Sequence, residues 1–249
     1  MEYPNIDCEF VIVVPCKNEK GNIAKMAEQF CDASKSKYKL VYVVGESNDG
    51  TFEECLRVQK EFSDCRIKVE KQVGFGKFGA LETVLLEHPD TIIAIWDGDN
   101  SIKFKDVEKC IEIFLKGNSM VAVFGNRINE SLDKQTMPRI NFVGNLIFSK
   151  VASCVFKLRI DDVLCGLKVF PAKILLTEGN QRLRAIFNKD TFGDLSIVYC
   201  SFKYLGAVEN AEVEYFPREY GSSKLSRFSN GLELTRNLIF AYRKIHVKN

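Results

Sequence analysis

Short apolar segments alternate with segments of helix length through the first half of this 249-residue chain. Strands separated by helix-length connections form a parallel sheet with helices packed on its faces. We therefore predict an α/β fold with a mostly parallel central sheet that is flanked by helices on both faces. The predicted strands span residues 10–14, 40–44, 66–73, 91–96 and 120–124, and the predicted helices span residues 22–33, 51–62, 79–87 and 104–116.

Beyond residue 124 the alternation fades, and two longer segments have the spacing of amphipathic helices. Residues 138–158 carry a wide apolar face, and residues 225–245 are both basic and apolar. The apolar face of the first segment suits the core, an interface between copies of the chain or a lipid surface, and the sequence leaves these alternatives open. Its apolar positions are Val143, Leu146, Ile147, Val151, Cys154, Val155 and Leu158.

Charge is divided unevenly along the chain. Residues 1–124 hold 16 Lys and Arg against 21 Asp and Glu, whereas residues 125–249 hold 19 against 12. Only the second half therefore favours anionic partners. Nucleic acid is not an expected partner, because the chain has no long Lys/Arg run, no zinc-finger spacing and no basic stripe with interleaved aromatic residues.

Cysteine spacing and the lack of a long apolar segment favour a cytoplasmic location. The nine cysteines include no C-x-x-C pair, so we predict buried thiols in a reducing compartment. The first residues lack the basic and apolar regions of a signal peptide. No segment reaches the roughly 20 apolar residues of a spanning helix, so any membrane contact is predicted to be peripheral, at the inner face.

The segments that follow the predicted strands are unusually polar. In open α/β sheets, ligands bind at the carboxyl ends of the strands, where these segments would converge. They are residues 15–19 (PCKNE) after the first strand, 45–51 (GESNDGT) after the second, 97–100 (DGDN) after the fourth and 125–127 (GNR) after the fifth.

Asp97 and Asp99 are the candidate metal ligands among these residues. Alternate residues of an extended segment point the same way, so both carboxylates can reach one divalent cation. The alternative is an ordinary Asp/Asn/Gly turn at the end of a strand.

A competing interpretation rests on residues 74–79, which match the G-x-G-x-x-G pattern of a dinucleotide site. It would make the chain an NAD(P)-linked oxidoreductase. Against it, residues 66–71 alternate polar and apolar side chains, whereas the first strand of a dinucleotide-binding unit is apolar.

Two shorter signals lie in the second half of the chain. Asp194 has apolar neighbours, which suits either a general base with a raised pKa or the N-cap of a helix that begins at Leu195. Arg218 and Lys224 flank a glycine and two serines, a combination that either grips a phosphate group or forms a solvated basic loop.

Together these segments resemble the family 2 glycosyltransferases of GT-A fold, in particular the branch that contains dolichol-phosphate mannose synthase and its bacterial relatives. The resemblance runs through nearly the whole chain. One departure is that Val44-Gly45 replaces the paired acids usual in the second loop and the acid moves to Glu46. The matching segments, in order, are Pro15-x-x-Asn18-Glu19, residues 46–51, the glycine loop with Lys77, Asp97-Gly98-Asp99, Gly125-Asn126-Arg127, Cys165-Gly166-Leu167-Lys168 and residues 220–228.

This resemblance implies an inverting, metal-dependent transfer of a sugar from a nucleotide diphosphate sugar, with Mg²⁺ or Mn²⁺ as the metal that Asp97 and Asp99 hold. It implies one GT-A domain over residues 1–249, with a nucleotide-sugar half (1–127), an acceptor half (128–217) and a basic C-terminal segment (218–249). The implied catalytic residues are Asp99, Arg127, Asp194 and Lys224; the donor-binding residues are Pro15, Asn18, Glu19, Glu46, Asp49, Lys77, Asp97 and Arg218; the acceptor-binding residues are Arg139, Cys165, Gly166 and Lys168.

Two kinds of acceptor are compatible with the sequence. A polyprenyl phosphate is already ionised and needs nearby cations such as Arg139 and Lys168, whereas a sugar hydroxyl of a glycan or small molecule needs a base, for which Asp194 is the candidate. The positive second half and the apolar helix favour the lipid phosphate. A catalytically silent relative that binds only a nucleotide or a partner is a further alternative.

Overall fold

The computed structural model describes residues 9–34, 37–117, 121–130, 132, 136–177, 191–221 and 227–247. The strands are β1 (Phe10–Cys16), β2 (Lys39–Val44), β3 (Ile67–Lys71), β4 (Ile92–Ile95), β5 (Ala122–Asn126), β6 (Lys168–Pro171) and β7 (Val208–Glu212). The helices are α1 (Lys20–Ser34), α2 (Thr51–Glu61), α3 (Gly76–Leu85), α4 (Phe104–Lys116), α5 (Arg139–Phe156), α6 (Asp194–Cys200) and α7 (Arg227–His246). A 3-10 helix, Ala172–Ile174, follows β6, and a π-helical turn, Ser201–Leu205, follows α6.

The seven strands form one sheet in the order β3-β2-β1-β4-β6-β5-β7. Strands β1 to β4 run parallel, β5 pairs with β7 in parallel, and β6 runs antiparallel between β4 and β5. The helix-length connections of the first half produce this arrangement, because the chain must cross over the sheet before it can begin the next parallel strand. The prediction of an α/β fold with a mostly parallel sheet is confirmed.

Apolar residues cover both faces of the sheet. Alternate residues of β1 point to opposite faces, so Val11 and Val13 enter one core while Ile12 and Val14 enter the other. The first core is completed by α3, α5, α6 and α7, and the second by α1, α2 and α4. The predicted helices on both faces are therefore present.

The sequence does not predict β6 and β7. Strand β6 begins at Lys168, whose charge gives no sign of a buried strand, and β7 has the largely polar sequence VENAE. Both strands lie within residues 128–217, so the sheet draws on both of the predicted halves. The boundaries at residues 127 and 217 stay predictions.

The prediction for the cysteines is wrong in two respects. Cys31, near the end of α1, and Cys65, just before β3, form a disulfide, and Cys154 on α5 is exposed. Sequence spacing cannot reveal this pair, because the two residues are 34 positions apart and meet only where α1 packs against α2. The cytoplasmic location stays a prediction.

Helix α5 has one buried and one exposed apolar face, and α7 packs beside it. Ala152 and Phe156 lie in the first core. Among the described helices, none is long and apolar enough to cross a membrane. The exposed apolar residues on and beside these two helices are called the α5–α7 surface below. They are Ile140, Val143, Ile147 and Val151 of α5, Leu232, Ile239 and Phe240 of α7, and Val247, which directly follows α7.

Candidate active site

The loop that carries Asp97 and Asp99 is held rigidly between β4 and α4. The Trp96 backbone N–H donates to Val13 O at 2.9 Å, and the Trp96 indole N–H donates to Ile102 O at 2.8 Å, so the loop is pinned at both ends. Gly98 lies against the carbonyl of Pro15, where a Cβ would come within 2.7 Å. The two carboxylates are therefore fixed at the carboxyl end of β4, beside the end of β1, as the strand-end pattern predicts.

Asp97 faces the ammonium of Lys77 from the glycine loop, with Lys77 Nζ 2.6 Å from Asp97 Oδ1. The other side of the carboxylate touches Gly166, where any Cβ would overlap Asp97 Oδ2. Partial burial acts to raise the pKa of Asp97, but attraction to Lys77, and then to Lys168 and Arg127, outweighs it and holds the pKa below its usual value. Asp97 is thus an ionised group in a cationic setting.

Asp99 is buried and has three donors. Its Oδ1 accepts the backbone N–H of Ser101 at 3.0 Å and the Ser101 hydroxyl at 2.6 Å, and its Oδ2 lies 2.6 Å from Arg218 Nη2. Arg218 Nη1 also lies 4.0 Å from Glu19 Oε1. The Arg218 guanidinium, from the segment after β7, therefore contacts acids that follow two different strands.

Arg127, directly after β5, forms a bidentate ion pair with Asp162. Arg127 Nε lies 2.7 Å and Nη2 lies 3.0 Å from the two Asp162 oxygens, and the guanidinium carbon lies 5.1 Å from the centre of the Tyr215 ring. Burial acts to lower the pKa of Arg127, but Asp162 raises it well above its usual value. The cation is therefore fixed in place, close enough to Asp97 to act on its pKa.

The side chains of the predicted acceptor residues Cys165 and Lys168 are fully buried, and their contact with an acceptor stays a prediction. Lys168 Nζ donates to Val163 O at 3.1 Å, to Cys165 O, and to Asp194 Oδ1 at 2.5 Å. Burial raises the pKa of the Cys165 thiol to about 12. These contacts hold residues 163–166 in place, with Gly166 against Asp97.

Asp194 is not the N-cap of α6, because Gly193 occupies that position with a φ of 75°. Asp194 is buried, as its apolar neighbours suggest, but it faces the ammonium of Lys168 rather than a wholly apolar cleft. Its role as a general base stays a prediction.

The predicted nucleoside-binding residues hold the loops after β1 and β2 together. The Asn18 side chain accepts the backbone N–H of Asn48 at 2.9 Å, and Asp49 accepts the backbone N–H of Lys20 at 3.2 Å and of Thr51 at 3.0 Å. Burial acts to raise the pKa of Asp49, but hydrogen bonds from Thr51 and Lys20 outweigh it and lower the pKa. Glu46, in contrast, is exposed at the end of β2.

Residues 216–221 lie across these loops and the loop after β4. The Phe216 backbone N–H donates to Ser101 O at 2.8 Å, Tyr220 packs directly on Gly21, and the Tyr220 hydroxyl donates to Asp49 at 3.3 Å. Lys224 lies outside the described residues. Arg139 is exposed at the first turn of α5. Its contact with an acceptor, and the other assigned roles, stay predictions.

Several contributors at this edge were not singled out from the sequence. Ser101 binds Asp99, and Tyr215 packs on Arg127, yet serine and tyrosine near a strand end give no distinct signal. Asp162 is visible only as half of an Asp-Asp pair, and its partner Arg127 becomes evident only when the end of β5 and the loop before β6 meet in space.

Comparison with known proteins agrees with this arrangement. The family model Glycosyl transferase family 2 matches residues 11–176. Dolichyl-phosphate beta-glucosyltransferase of Saccharomyces cerevisiae is 22% identical over 248 residues, covering 92% of this chain and 72% of that protein. Dolichyl-phosphate hexose transferase of Haloferax volcanii is 23% identical over 167 residues, covering 67% of this chain and 68% of that protein.

Among solved structures, glucosyl-3-phosphoglycerate synthase from Mycobacterium tuberculosis, in complex with Mn²⁺, UDP and phosphoglyceric acid, has a TM-score of 0.68 at 16% identity and covers 97% of this chain and 84% of that one. At this identity the likeness shows the fold alone. The family match includes the loops of Asn18, Asp49, Lys77 and Asp97, and it rejects the oxidoreductase interpretation of the glycine loop. The chain belongs to the family 2 glycosyltransferases, and its fold is of GT-A type.

Proposed function

We propose that this chain transfers a sugar from a nucleotide diphosphate sugar to a phosphorylated acceptor, with polyprenyl phosphate as the acceptor class. The observation that carries the proposal is the double pairing at the sheet edge, where Lys77 faces Asp97 and Arg218 faces Asp99. Two acids paired with two cations on long side chains form a site that can take both a divalent metal and a diphosphate.

The donor atoms at this edge fit Mg²⁺ or Mn²⁺. Carboxylate oxygens are hard ligands, and such a metal is commonly held by one or two carboxylates together with substrate phosphates and water. Within the described residues no group of three or more His, Cys, Asp or Glu forms a metal cage. Asp97 and Asp99 would therefore hold a metal whose shell the substrate completes, and a bound metal would offset the negative charge of the departing nucleotide.

The surrounding residues have separable tasks in this proposal. The charged groups of Lys77 and Arg218 stand at the ends of long side chains, which can turn from their carboxylate partners to the diphosphate oxygens. Arg127 stays paired with Asp162, and its positive charge helps to stabilise negative charge at the site. Asn18 and Asp49 shape the nucleoside loops, and the exposed Glu46 offers its carboxylate to the ribose or base.

The buried pairing of Asp194 supports a phosphate acceptor over a sugar hydroxyl. Asp194 Oδ1 is 2.5 Å from the Lys168 ammonium, so this oxygen is already engaged. A phosphate acceptor is ionised at neutral pH and needs no base to attack the sugar. Attack from the face opposite the leaving diphosphate gives inversion. The two dolichyl-phosphate transferases among the relatives agree with this acceptor class.

The α5–α7 surface supports access to a lipid-linked acceptor from a membrane surface. Its α5 residues recur at the spacing of one helical stripe, and cations lie beside the exposed apolar residues of both helices. An apolar stripe flanked by cations suits the headgroup layer of an anionic membrane. The exposed cations are Arg139, Lys150, Lys157, Arg236, Arg243 and Lys244.

A panel of donors and acceptors tests this function. Thermal shifts with UDP-, GDP-, CDP- and dTDP-linked sugars, with and without Mn²⁺, identify the donor, because a ligand at hundreds of times its Kd adds about 3 to 4 kcal/mol to the stability. The donor so found is then offered undecaprenyl phosphate and free sugars as competing acceptors. We expect a metal-dependent shift and transfer to the lipid phosphate. A shift with NAD(P)H alone, or transfer only to a sugar hydroxyl, would contradict the proposal.

A further inference from the structure

Helix α7 reaches the donor site through one acidic side chain. The Glu233 carboxylate accepts the backbone N–H of Thr191 at 2.9 Å and the Thr191 hydroxyl at 3.2 Å. Each carboxylate oxygen therefore accepts a hydrogen bond from Thr191, which comes just before α6. A charged acceptor strengthens both hydrogen bonds.

Thr191 in turn holds the glycine loop. The backbone N–H of Lys77 donates to Thr191 O at 2.8 Å. Gly76, at a φ of 68°, lies so close to Thr191 that any Cβ would overlap its carbonyl. The loop can only take this path because residue 76 is a glycine, and the contact fixes the main chain of the residue whose ammonium faces Asp97.

The same segment also brings a second charge to Lys77. Asp194 lies three residues after Thr191 in the first turn of α6. Burial acts to lower the pKa of Lys77, but attraction to Asp97 and then to Asp194 raises it. Residues 191–194 therefore set both the backbone and the electrostatic surroundings of Lys77.

We infer that Glu233 is a positioning residue for the donor site, which acts by holding Thr191 and, through it, the main chain at Lys77. This inference rests on the proposed function for the identity of the ligand, a nucleoside diphosphate. The contact that carries this effect is the pair of hydrogen bonds that the Glu233 carboxylate accepts from Thr191.

A double-mutant cycle tests this route. The Kd of UDP and of GDP, each with Mn²⁺, is measured by calorimetry for Glu233→Ala, Lys77→Ala and the double variant. We expect Glu233→Ala to weaken binding of the preferred nucleotide about tenfold. The double variant should then bind no more weakly than Lys77→Ala alone, because the two residues act in series. Additive losses, or wild-type affinity in Glu233→Ala, would overturn the inference.

Two further variants separate positioning from general damage to α7. Glu233→Gln keeps an acceptor oxygen for the Thr191 N–H and should retain most of the affinity. Thr235→Ala removes an exposed hydroxyl from the same helix, two residues away, and should bind as wild type. A loss in Thr235→Ala equal to that in Glu233→Ala would assign the effect to the helix as a whole and overturn the inference.

Hydrogen exchange gives a readout that needs no ligand. In Glu233→Ala, amides of the peptide covering residues 74–79 should exchange faster than in wild type, while those of β2 should not change. Equal protection of residues 74–79 in both proteins would overturn the inference even if no nucleoside diphosphate binds. Failure of wild type to bind any nucleotide would instead count against the proposed function.

Discussion

The guanidinium of Arg218, from the segment that precedes α7, lies 2.6 Å from the carboxylate of Asp99 in the loop after β4. The pairing gives Asp99 a counter-charge from the chain itself. A divalent metal at this carboxylate would compete with Arg218 for the same oxygen.

Removing this cation should change metal binding and turnover in opposite directions. In Arg218→Ala, Mn²⁺ alone should bind more tightly, because Asp99 loses a competing cation. Turnover should fall, since one charge-assisted contact to the diphosphate is worth about 1.5 to 3 kcal/mol, or about 10- to 100-fold in kcat/KM. Mn²⁺ titration followed by electron paramagnetic resonance and steady-state kinetics measure the two effects. Arg159→Ala, at an exposed arginine paired with Asp161, is the control. An unchanged kcat/KM in Arg218→Ala would show that the segment around Arg218 is only a basic surface.

The buried Lys168–Asp194 pair should be costly to break from one side. Lys168 is fully buried, and loss of one partner leaves an uncompensated charge, which destabilises a protein by about 3 to 5 kcal/mol. Lys168→Met and Asp194→Leu should each lower the free energy of unfolding by about that amount, and the double variant by less than the sum. Urea denaturation measures all three. Additive losses would show that the two side chains do not depend on each other.

The fold was largely predictable because its central strands are apolar. Strands β1, β2 and β4 are short runs rich in Val, Ile and Leu, and helices α1 and α2 have amphipathic spacing. Strand β7 escapes prediction because its hydrogen bonds to β5, rather than its side chains, define it. Strand β6 escapes because it begins with a lysine, whose charge is paired in the interior with Asp194, a residue remote in sequence.

The site was predictable in its members more than in its pairings. The strand-end rule brings Asp97, Asp99 and the loops after β1 and β2 to one edge. The rule cannot predict that Lys77 pairs with Asp97 and Arg218 with Asp99, because these ion pairs depend on where the glycine loop and residues 216–221 pack. The sequence likewise cannot say that Lys168 is buried against Asp194, because a sequence does not report burial for a lysine.

The Asp97–Lys77 pair should be insensitive to pH near neutrality. The pKa of Asp97 is lowered from 3.8, so its contribution to stability is present above that value and is lost only as the pH falls through the lowered pKa. The pKa of Lys77 is raised from 10.5, so its contribution is present below that value and is lost only as the pH rises through the raised pKa. The difference in unfolding free energy between wild type and Lys77→Met should therefore stay constant from about pH 5 to about pH 9. A marked slope within that range, measured by chemical denaturation, would contradict the pairing.

The α5–α7 surface should bind anionic vesicles. Each Lys or Arg near an anionic leaflet adds about 1 kcal/mol, so binding to vesicles of phosphatidylglycerol and phosphatidylcholine should be measurable at low salt and weak at high salt. Ile147→Glu with Val151→Glu should reduce flotation, because both side chains lie on the exposed stripe of α5. Leu56→Glu, at an exposed leucine on α2, is the matched control and should float as wild type. Equal flotation of all three proteins, or none by wild type, would contradict this use of the surface.

The most direct measurement is Mn²⁺-dependent sugar transfer by Asp97→Asn, Asp99→Asn and the double variant, beside Asp90→Asn as an exposed-acid control. Asp97 and Asp99 lie on a loop at the sheet edge, so their replacement should leave the fold intact by circular dichroism. Wild type and Asp90→Asn should lose transfer with excess chelator and regain it with Mn²⁺, whereas the Asp97 and Asp99 variants should show no metal-dependent transfer. Full transfer by the double variant, or transfer by wild type that is equal with and without chelator, would contradict a metal-assisted site at these two carboxylates.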